Sequence, residues 1–553
     1  YLQRGRQKAA NEGDELSAHR ATLYLCLLAA ERNQQALCRG GDAATAYLKL
    51  RDSAIPRVAA DAALTRARTQ LRSGDAGAAR ETMERLIDEL YWYRRALPGV
   101  LGAWFAENHD LLAQDYLALE QTRSLSRTAG AGQGRALLLA MERVRRLEAA
   151  DYVRPGNRPL DAEDEELLRG VLARREAAAG DEASRLAAEA NRRLAAARQT
   201  AAGGADAISE PRLERLLEGL APSEAVLSYY FDGERALALV ARRGGVQAIA
   251  LPGTGRIDAQ LKQLRDALTG PESPALSGYL DALGRSLLKP LDGILPEKVY
   301  LLPVGPLRGV PLDALRVDGA YFAERRSLVN LASLGSIERR APVVAKDFQE
   351  QVFLAGNPQE QSDPFSLEFR ASPEVAAVTD QFVGPGLHIV QGVALRKDEF
   401  FDDRFAQAAL IHLALAGTLD LAFPDRSRLL LAPIGAGHAD SRSLLLPADV
   451  RGLEMAAQLL VLSGTAVAGS SRSLADSRLA FVADFLEAGC KAVLVSYRPA
   501  GESMNGDFTT DLYRRLLSDP GIETALANSK RAQIEVRSGT NLPGWAGFQL
   551  FIR

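Results

Sequence analysis

Ile411-His412-Leu413-Ala414-Leu415-Ala416-Gly417 and Val461-Leu462-Ser463-Gly464-Thr465-Ala466 are two apolar runs that each end in small residues. Short apolar runs bounded by such residues read as strands buried on both faces. Each is expected to run into a small-residue turn. In an open α/β sheet, ligands and catalytic groups gather at the carboxyl ends of the strands. The positions to inspect for chemistry are therefore Ala416 and Thr465.

Working outward, the same texture extends back to about Ser223. Ala225 to Tyr230 and Arg235 to Arg242 read as strands around the turn Asp232-Gly233-Glu234, and Gly244-Gly245 leads into a third, Val246 to Leu251. Further strands are expected at Lys298 to Leu302, Val352 to Ala355, His388 to Val390, Ala409 to Ala414, Leu429 to Leu431, Leu459 to Leu462 and Lys491 to Ser496. Helical stretches such as Ser473 to Ala488 lie between them. Such alternation indicates a mostly parallel sheet with helices on both faces, an α/β/α sandwich.

Ahead of this region the chain reads as all-α. Ala63, Ala67 and Leu71 share one helical face, Ser73-Gly74-Asp75 stops that helix and caps the next, and Ala79, Met83, Leu86 and Leu90 follow at helical spacing. This helix–turn–helix is similar to a TPR repeat. A weaker pair is expected from Leu101 to Ser124 with Asn108-His109-Asp110 as its turn, and a degenerate one from Leu16 to Leu50. Thr128 to Gly134 reads as a flexible break. From Arg135 to Ala201 the composition is rich in Ala, Glu and Arg, and Pro155-Gly156-Asn157 splits it into the two arms of an exposed helical hairpin. The fold class is thus α plus α/β, multidomain: helical repeats over 1–134, a helical connector over 135–218 and an α/β domain over 219–553.

Composition narrows the function classes. A 553-residue chain is too long for one core. The 67 basic and 70 acidic residues nearly cancel, which argues against a nucleic-acid footprint. No long apolar run suits a membrane span. Cys26, Cys38 and Cys490 have neither metal-ligand nor disulfide spacing, so all three are expected to be packing residues in a reducing, cytoplasmic setting. The chain opens on Tyr1 and not Met, so further residues are expected to precede it. His19, His109, His388, His412 and His438 are scattered, without metal-ligand spacing, and no phosphate-binding Gly-rich motif occurs. Neither metal nor cofactor is expected.

The two opening stretches resemble the catalytic motifs of the CHAT family, caspase-like cysteine peptidases often fused to TPR repeats. The family pattern is His-Leu-Ala-Thr-His-Gly, whose second His is the base, and Leu-Ser-Ala-Cys, whose Cys is the nucleophile. Other pieces are similar in the same order: Leu301 to Leu315, Leu354-Ala355-Gly356-Asn357-Pro358, Glu487 to Pro499, Ala525 to Arg537 and Leu542 to Phe548. The resemblance implies a caspase-like fold with an N-terminal half over 219–345 and a degenerate catalytic half over 346–553.

The departures concern chemistry. Ala416 stands at the base position and Thr465 at the nucleophile position. A shift of one residue would instead match Thr465-Ala466 to the small pair after the Cys; under either alignment there is no thiol. A peptidase of this type needs a thiolate steered by His. His412 lies four residues upstream, about 13 Å deeper at about 3.3 Å per residue, whereas a base must come within about 3 Å of its proton. It is expected to be a satisfied core histidine. Tyr497-Arg498 replaces the family's Leu-Trp, and Glu502 lies near its acidic position.

The expected function is that of a pseudopeptidase that binds protein, as regulator or scaffold of a protease or effector in a bacterial defence or signalling system. The partner would engage the repeats, or a cleft formed by His412, Gly417, Asp420, Ser463, Gly464, Tyr497, Arg498 and Glu502. The alternative is a hydrolase that uses Thr465 or Ser463 with His438, in the loop Gly435-Ala436-Gly437-His438, as a relocated base.

Overall fold

The computed structural model describes residues 1–32, 34, 38, 41–97, 100–126, 134–148, 160–178, 180–201, 208–269, 275–340, 348, 351–357, 372–420, 424–432, 443–468, 481–496, 502–518, 521–536 and 542–553. The chain divides into two compact units, residues 1–126 with 139–207 and residues 127–138 with 208–553.

The first unit is helical: α1 (Leu2–Asn11), α2 (Glu15–Arg32), α3 (Asp42–Arg51), α4 (Pro56–Arg72), α5 (Ala76–Ala96), α6 (Gly102–Ser126), most of α7 (Arg135–Glu148), α8 (Ala162–Ala177) and α9 (Gly180–Ala201). The α4–α5 hairpin forms as its spacing predicts. Gly74 takes the left-handed φ of +85° that ends α4. The Asp75 carboxylate then accepts from the Ala78 amide to cap α5. Ala63, Ala67, Ala79, Met83, Leu86 and Leu90 are all buried.

Three expectations fail here. The expected turn at Asn108-His109-Asp110 is instead the interior of the continuous helix α6. Asn108 Nδ2 donates back to the Trp104 carbonyl at 2.9 Å, and buried His109 is held 3.0 Å from Glu148 and 3.3 Å from Asp110. The contact between His109 and Glu148, made across the fold, together with the intrahelical bond of Asn108 overrides weak local propensity. The two arms expected on either side of Pro155-Gly156-Asn157 correspond to α7 and to α8 with α9, and they are not exposed: Leu137, Met141 and Val144 of α7 are buried, and Leu168, Val171, Leu172, Leu186 and Leu194 share a core with Ala54, Ala96 and Leu97. Pro155-Gly156-Asn157 lies outside the described residues, and an unexpected break occurs after Ala177. Cys26 and Cys38 form a disulfide. The chain reverses between α2 and α3 and brings their Cα atoms to 4.8 Å, a proximity that a separation of 12 residues does not reveal. Cys490 is buried, with its Sγ 3.9 Å from Met455 Sδ, as its apolar setting suggests.

The second unit carries strands β1 (Glu224–Phe231), β2 (Ala236–Arg242), β3 (Gly245–Ala250), β4 (Lys298–Leu302), β5 (Arg316–Val317), β6 (Ala320–Tyr321), β7 (Ser327–Leu331), β8 (Val352–Asn357), β9 (Leu387–Gln391), β10 (Leu410–Asp420), β11 (Arg428–Leu430), β12 (Leu444–Leu445), β13 (Leu459–Ala468), β14 (Ala492–Ser496) and β15 (Phe548–Ile552). β5 and β6 make a small ribbon. The others form one 13-stranded sheet of order β12-β11-β10-β13-β14-β15-β7-β4-β1-β2-β3, with β8 beside β10 and β9 beyond β8. β9, β8, β10, β13 and β14 are mutually parallel, as are β1, β4, β7 and β15. The mostly parallel α/β architecture read from the sequence is therefore present.

The last strand joins the two parallel blocks. β15 pairs antiparallel with β14 and parallel with β7. Beneath it lies a buried polar knot. Lys530 pairs with Asp313 and donates to the Phe548 carbonyl at 2.6 Å, while Gln549 Nε2 donates to Asp313 Oδ1 at 3.0 Å. Asn330 on β7 donates to Gln549 Oε1 at 3.3 Å. Asp313 sits in the Leu301–Leu315 stretch and Lys530 in the Ala525–Arg537 stretch, on the helix Ile522–Val536, so these two distant motifs are the halves of one ion pair.

Removing one member of this pair leaves the other buried and unpaired, at a cost of about 3–5 kcal/mol. Lys530→Met is expected to lower unfolding stability by that amount in urea titrations followed by tryptophan fluorescence. A loss below about 1 kcal/mol, the scale of an exposed pair, would show that the knot does not hold the sheet together.

His109 supplies a pH dependence in the helical unit. Burial disfavours its imidazolium, but Glu148 and then Asp110 outweigh burial and hold its pKa at about 9, above the ordinary 6.5. The folded value exceeds the unfolded one, so the stabilisation is complete below pH 6.5 and disappears as pH rises through about 9. Thermal unfolding of the helical unit is expected to weaken by roughly 3 kcal/mol between pH 6.5 and 10, and His109→Gln is expected to flatten that dependence. Equal pH profiles for the two proteins would contradict this.

Candidate functional site

The site is built on β8, β10, β13 and β14. Their apolar residues alternate about the sheet: Ile411, Leu413, Leu415, Leu460, Leu462, Val493 and Val495 enter one core. His412, Ala414, Val461 and Ser463 point to the opposite face, since β10 and β13 pair His412 with Val461 and Ala414 with Ser463. On that face lie the helices Pro373–Thr379 and Glu502–Ser518. Gly356 on β8 admits the first of them: a Cβ there would fall 2.4 Å from Ser372 Cβ and 2.6 Å from Val375 Cγ2.

The small residues of the opening stretches do not end the strands. The parallel ladder shifts register between Ala414 and Gly417, then continues through Gly417 opposite Thr465 to Asp420 opposite Ala468. The expected turn is a bulge. Gly464 makes it possible with a φ of +78°, and a Cβ at Gly464 would approach the Leu415 carbonyl oxygen to 2.9 Å. Gly417 is equally constrained, because a Cβ there would lie 2.5 Å from the Arg428 carbonyl oxygen on β11. β11 pairs with Gly417 and Thr418 on the side away from β13, so this segment is enclosed by strands on both edges. A paired strand extends past the place where an open sheet end was expected.

Within this frame Thr465 is fully buried, and its hydroxyl donates to the Ser496 carbonyl of β14 at 2.8 Å. Ser463 is also fully buried, and its Oγ has no hydrogen-bond partner among the described residues. Ala416 is half-buried beside the bulge and offers only a methyl group. The Asp420 amide donates to Ser427 Oγ at 2.9 Å. Glu502 opens the helix that covers this face. Tyr497, Arg498 and His438 lie outside the described residues.

His412 is engaged elsewhere. Its Nδ1 lies 2.6 Å from the Tyr513 hydroxyl and its Nε2 lies 3.2 Å from Glu374 Oε1, with all three side chains buried. Burial, and next the Glu374 carboxylate, push the Tyr513 phenol well above its ordinary pKa. The phenol therefore stays protonated, with its hydroxyl directed at Nδ1. His412 is thus a fully buried core histidine, but it is only half satisfied: Nδ1 is engaged by Tyr513, whereas Nε2 lies near Glu374 Oε1 without hydrogen-bond geometry, and these contacts place β10 against both covering helices. Glu374 and Tyr513 were invisible to sequence reasoning. They stand 38 and 101 residues from His412 and belong to no motif. Chemically, the described residues provide a buried hydroxyl committed to a carbonyl and an imidazole committed to a phenol beside a carboxylate. Among the described residues no cluster of three or more His, Cys, Asp or Glu is arranged to hold a metal, and no helix is long and apolar enough to cross a membrane.

Comparison with known proteins follows this geometry. Human tetratricopeptide repeat protein 28 is 32% identical over 335 residues, 52% of this chain but 13% of that protein's length. Two crystal structures of the Saccharomyces cerevisiae separase–securin complex align at 9% and 8% identity with TM-scores of 0.43 and 0.40, over 87% and 100% of this chain and 38% and 48% of theirs. The CHAT domain model matches residues 274–552, half of the chain and all the strands just described from β4 onward. The chain belongs to the CHAT domain family.

Proposed function

We propose that this protein is a catalytically inactive CHAT pseudopeptidase that binds other proteins, as a regulator or scaffold for a partner protease or effector in a bacterial defence or signalling system. The observation that carries this reading is the hydrogen bond from the Thr465 hydroxyl to the Ser496 carbonyl. A hydroxyl nucleophile must pass its proton to a base. Here the proton is directed at a backbone acceptor, the side chain is closed to solvent, and position 416 has no proton-accepting atom. The helical unit supplies surfaces of the kind that helical repeats use to capture peptides and partner helices. The name of the human relative, a tetratricopeptide repeat protein, agrees with that role. The absence of a membrane-length helix among the described residues fits a cytoplasmic setting. The Cys26–Cys38 disulfide pulls the other way, since such bonds are rare in reducing compartments.

The test is hydrolysis of a peptide library by the wild-type protein, Thr465→Ala and Ser463→Ala. All three are expected to give the same background. A general base contributes about 10²–10⁴-fold in rate. Cleavage by the wild type that falls by such a factor in either variant would establish the alternative hydrolase, with Thr465 or Ser463 as nucleophile and His438 as base.

A further inference from the structure

The two long edges of the large sheet are finished differently. At the β3 edge, the Gly134 amide donates to the Val246 carbonyl at 3.3 Å, so neighbouring chain closes over the strand. At the opposite end, among the described residues, β9 pairs only with β8. Besides that ladder the Leu387 amide donates to the Gly384 carbonyl at 3.3 Å, the Gln391 side chain accepts from the Ser372 amide at 2.8 Å and the His388 ring lies 3.4 Å from Arg404, so the backbone groups of residues 388–391 that face away from β8 have no partner there. An edge strand with free amides and carbonyls is a template for another strand, and proteins usually protect it with charge or proline. Leu387-His388-Ile389-Val390-Gln391 carries neither Lys, Arg, Asp, Glu nor Pro.

Apolar side chains are exposed around this edge. Ile389 is 39% exposed on the strand, Val383 is 86% exposed four residues before it and Phe401, at the end of the short helix Lys397–Phe401, is 54% exposed. Acidic groups flank both ends: Asp380 before the strand and Asp398 and Asp403 after it are exposed and have no ion-pair partner among the described residues. Lys397 and Arg404 do not offset them, being held by Asp449 at 2.7 Å and Asp402 at 2.9 Å, which leaves Arg396 alone.

We propose that the free edge of β9 is a strand-addition site for an extended segment of a partner protein, apolar at alternate positions and flanked by Lys or Arg. Backbone hydrogen bonds would supply affinity, and Val383, Ile389 and Phe401 would receive its apolar side chains. The charge pattern selects this occupant over a second copy of the chain. Antiparallel self-pairing about Ile389 would bring the Asp380 end of one copy to the Asp398 end of the other, like charge against like. This edge lies two strands from β10, so it does not depend on whether the Thr465 site hydrolyses anything.

The probe is a fluorescein-labelled peptide, Lys-Lys-Thr-Val-Thr-Val-Thr-Val-Lys-Lys, titrated by anisotropy with the full chain. Saturable binding is expected, weakened at least about tenfold by Ile389→Lys, since a charge buried among apolar contacts costs more than 1.4 kcal/mol. N-methylation of alternate peptide amides is expected to abolish binding, and exchanging the flanking Lys for Glu to weaken it. Val383→Lys, at a more exposed position, serves as a second variant, with thermal unfolding confirming that both fold. Absence of saturable binding, equal binding of the N-methylated peptide, or unchanged affinity in both variants would overturn the proposal. So would sedimentation showing a dimer that Ile389→Lys dissociates, since the edge would then belong to a second copy.

Discussion

The bulged parallel ladder between β10 and β13 is the constraint from which the rest of the site follows. In its regular part it pairs Ala414 with Ser463, and beyond the bulge it pairs Gly417 with Thr465. The shift is compatible only with glycine at 464, where φ is positive and a side chain would strike the Leu415 carbonyl. Once the ladder resumes, residue 465 faces a carbonyl of β14 and its hydroxyl is consumed there. A different ending of the same strands would have left that hydroxyl free at the rim. Ala416 thus lies beside the bulge, and Thr465 is closed off by the paired strands around it.

The sheet that presents this site carries, within its apolar core, polar contacts that specify its arrangement. β15 bridges two parallel blocks, and the Asp313–Lys530 pair with Gln549 and Asn330 fixes its position. On the far side, Glu374, His412 and Tyr513 tie β10 to two helices. Burying an ion pair costs desolvation, so such pairs specify an arrangement better than they stabilise it. Both clusters join segments far apart in sequence, the role that a multi-layered parallel sheet most requires.

Much of this was legible. Lys298 to Leu302 was marked as a strand with its true limits, because a continuous apolar run in a parallel block leaves little ambiguity. The α4–α5 hairpin was equally plain from Ser73-Gly74-Asp75. The failures have physical causes. β10 and β13 were cut short because Ala416-Gly417-Thr418 and Gly464-Thr465-Ala466 look like turns, whereas pairing with β11 and with each other keeps them extended. The break expected at His109 vanished because Glu148 and Asp110 hold that histidine inside a helix. α8 and α9 seemed solvated because Ala dominates them, yet a few leucines suffice to dock both. The partners of His412 could only be found in three dimensions.

The central claim is that the Thr465 hydroxyl has given up its nucleophilic role to a structural bond. The most direct measurement is labelling of the native protein with a fluorophosphonate, followed by peptide mapping, at several values between about pH 6 and pH 10, the range over which an imidazole would gain and hold base character. The account predicts no adduct on residue 465 at any of them. An adduct on Thr465 whose rate rises with an apparent pKa near that of histidine would contradict it.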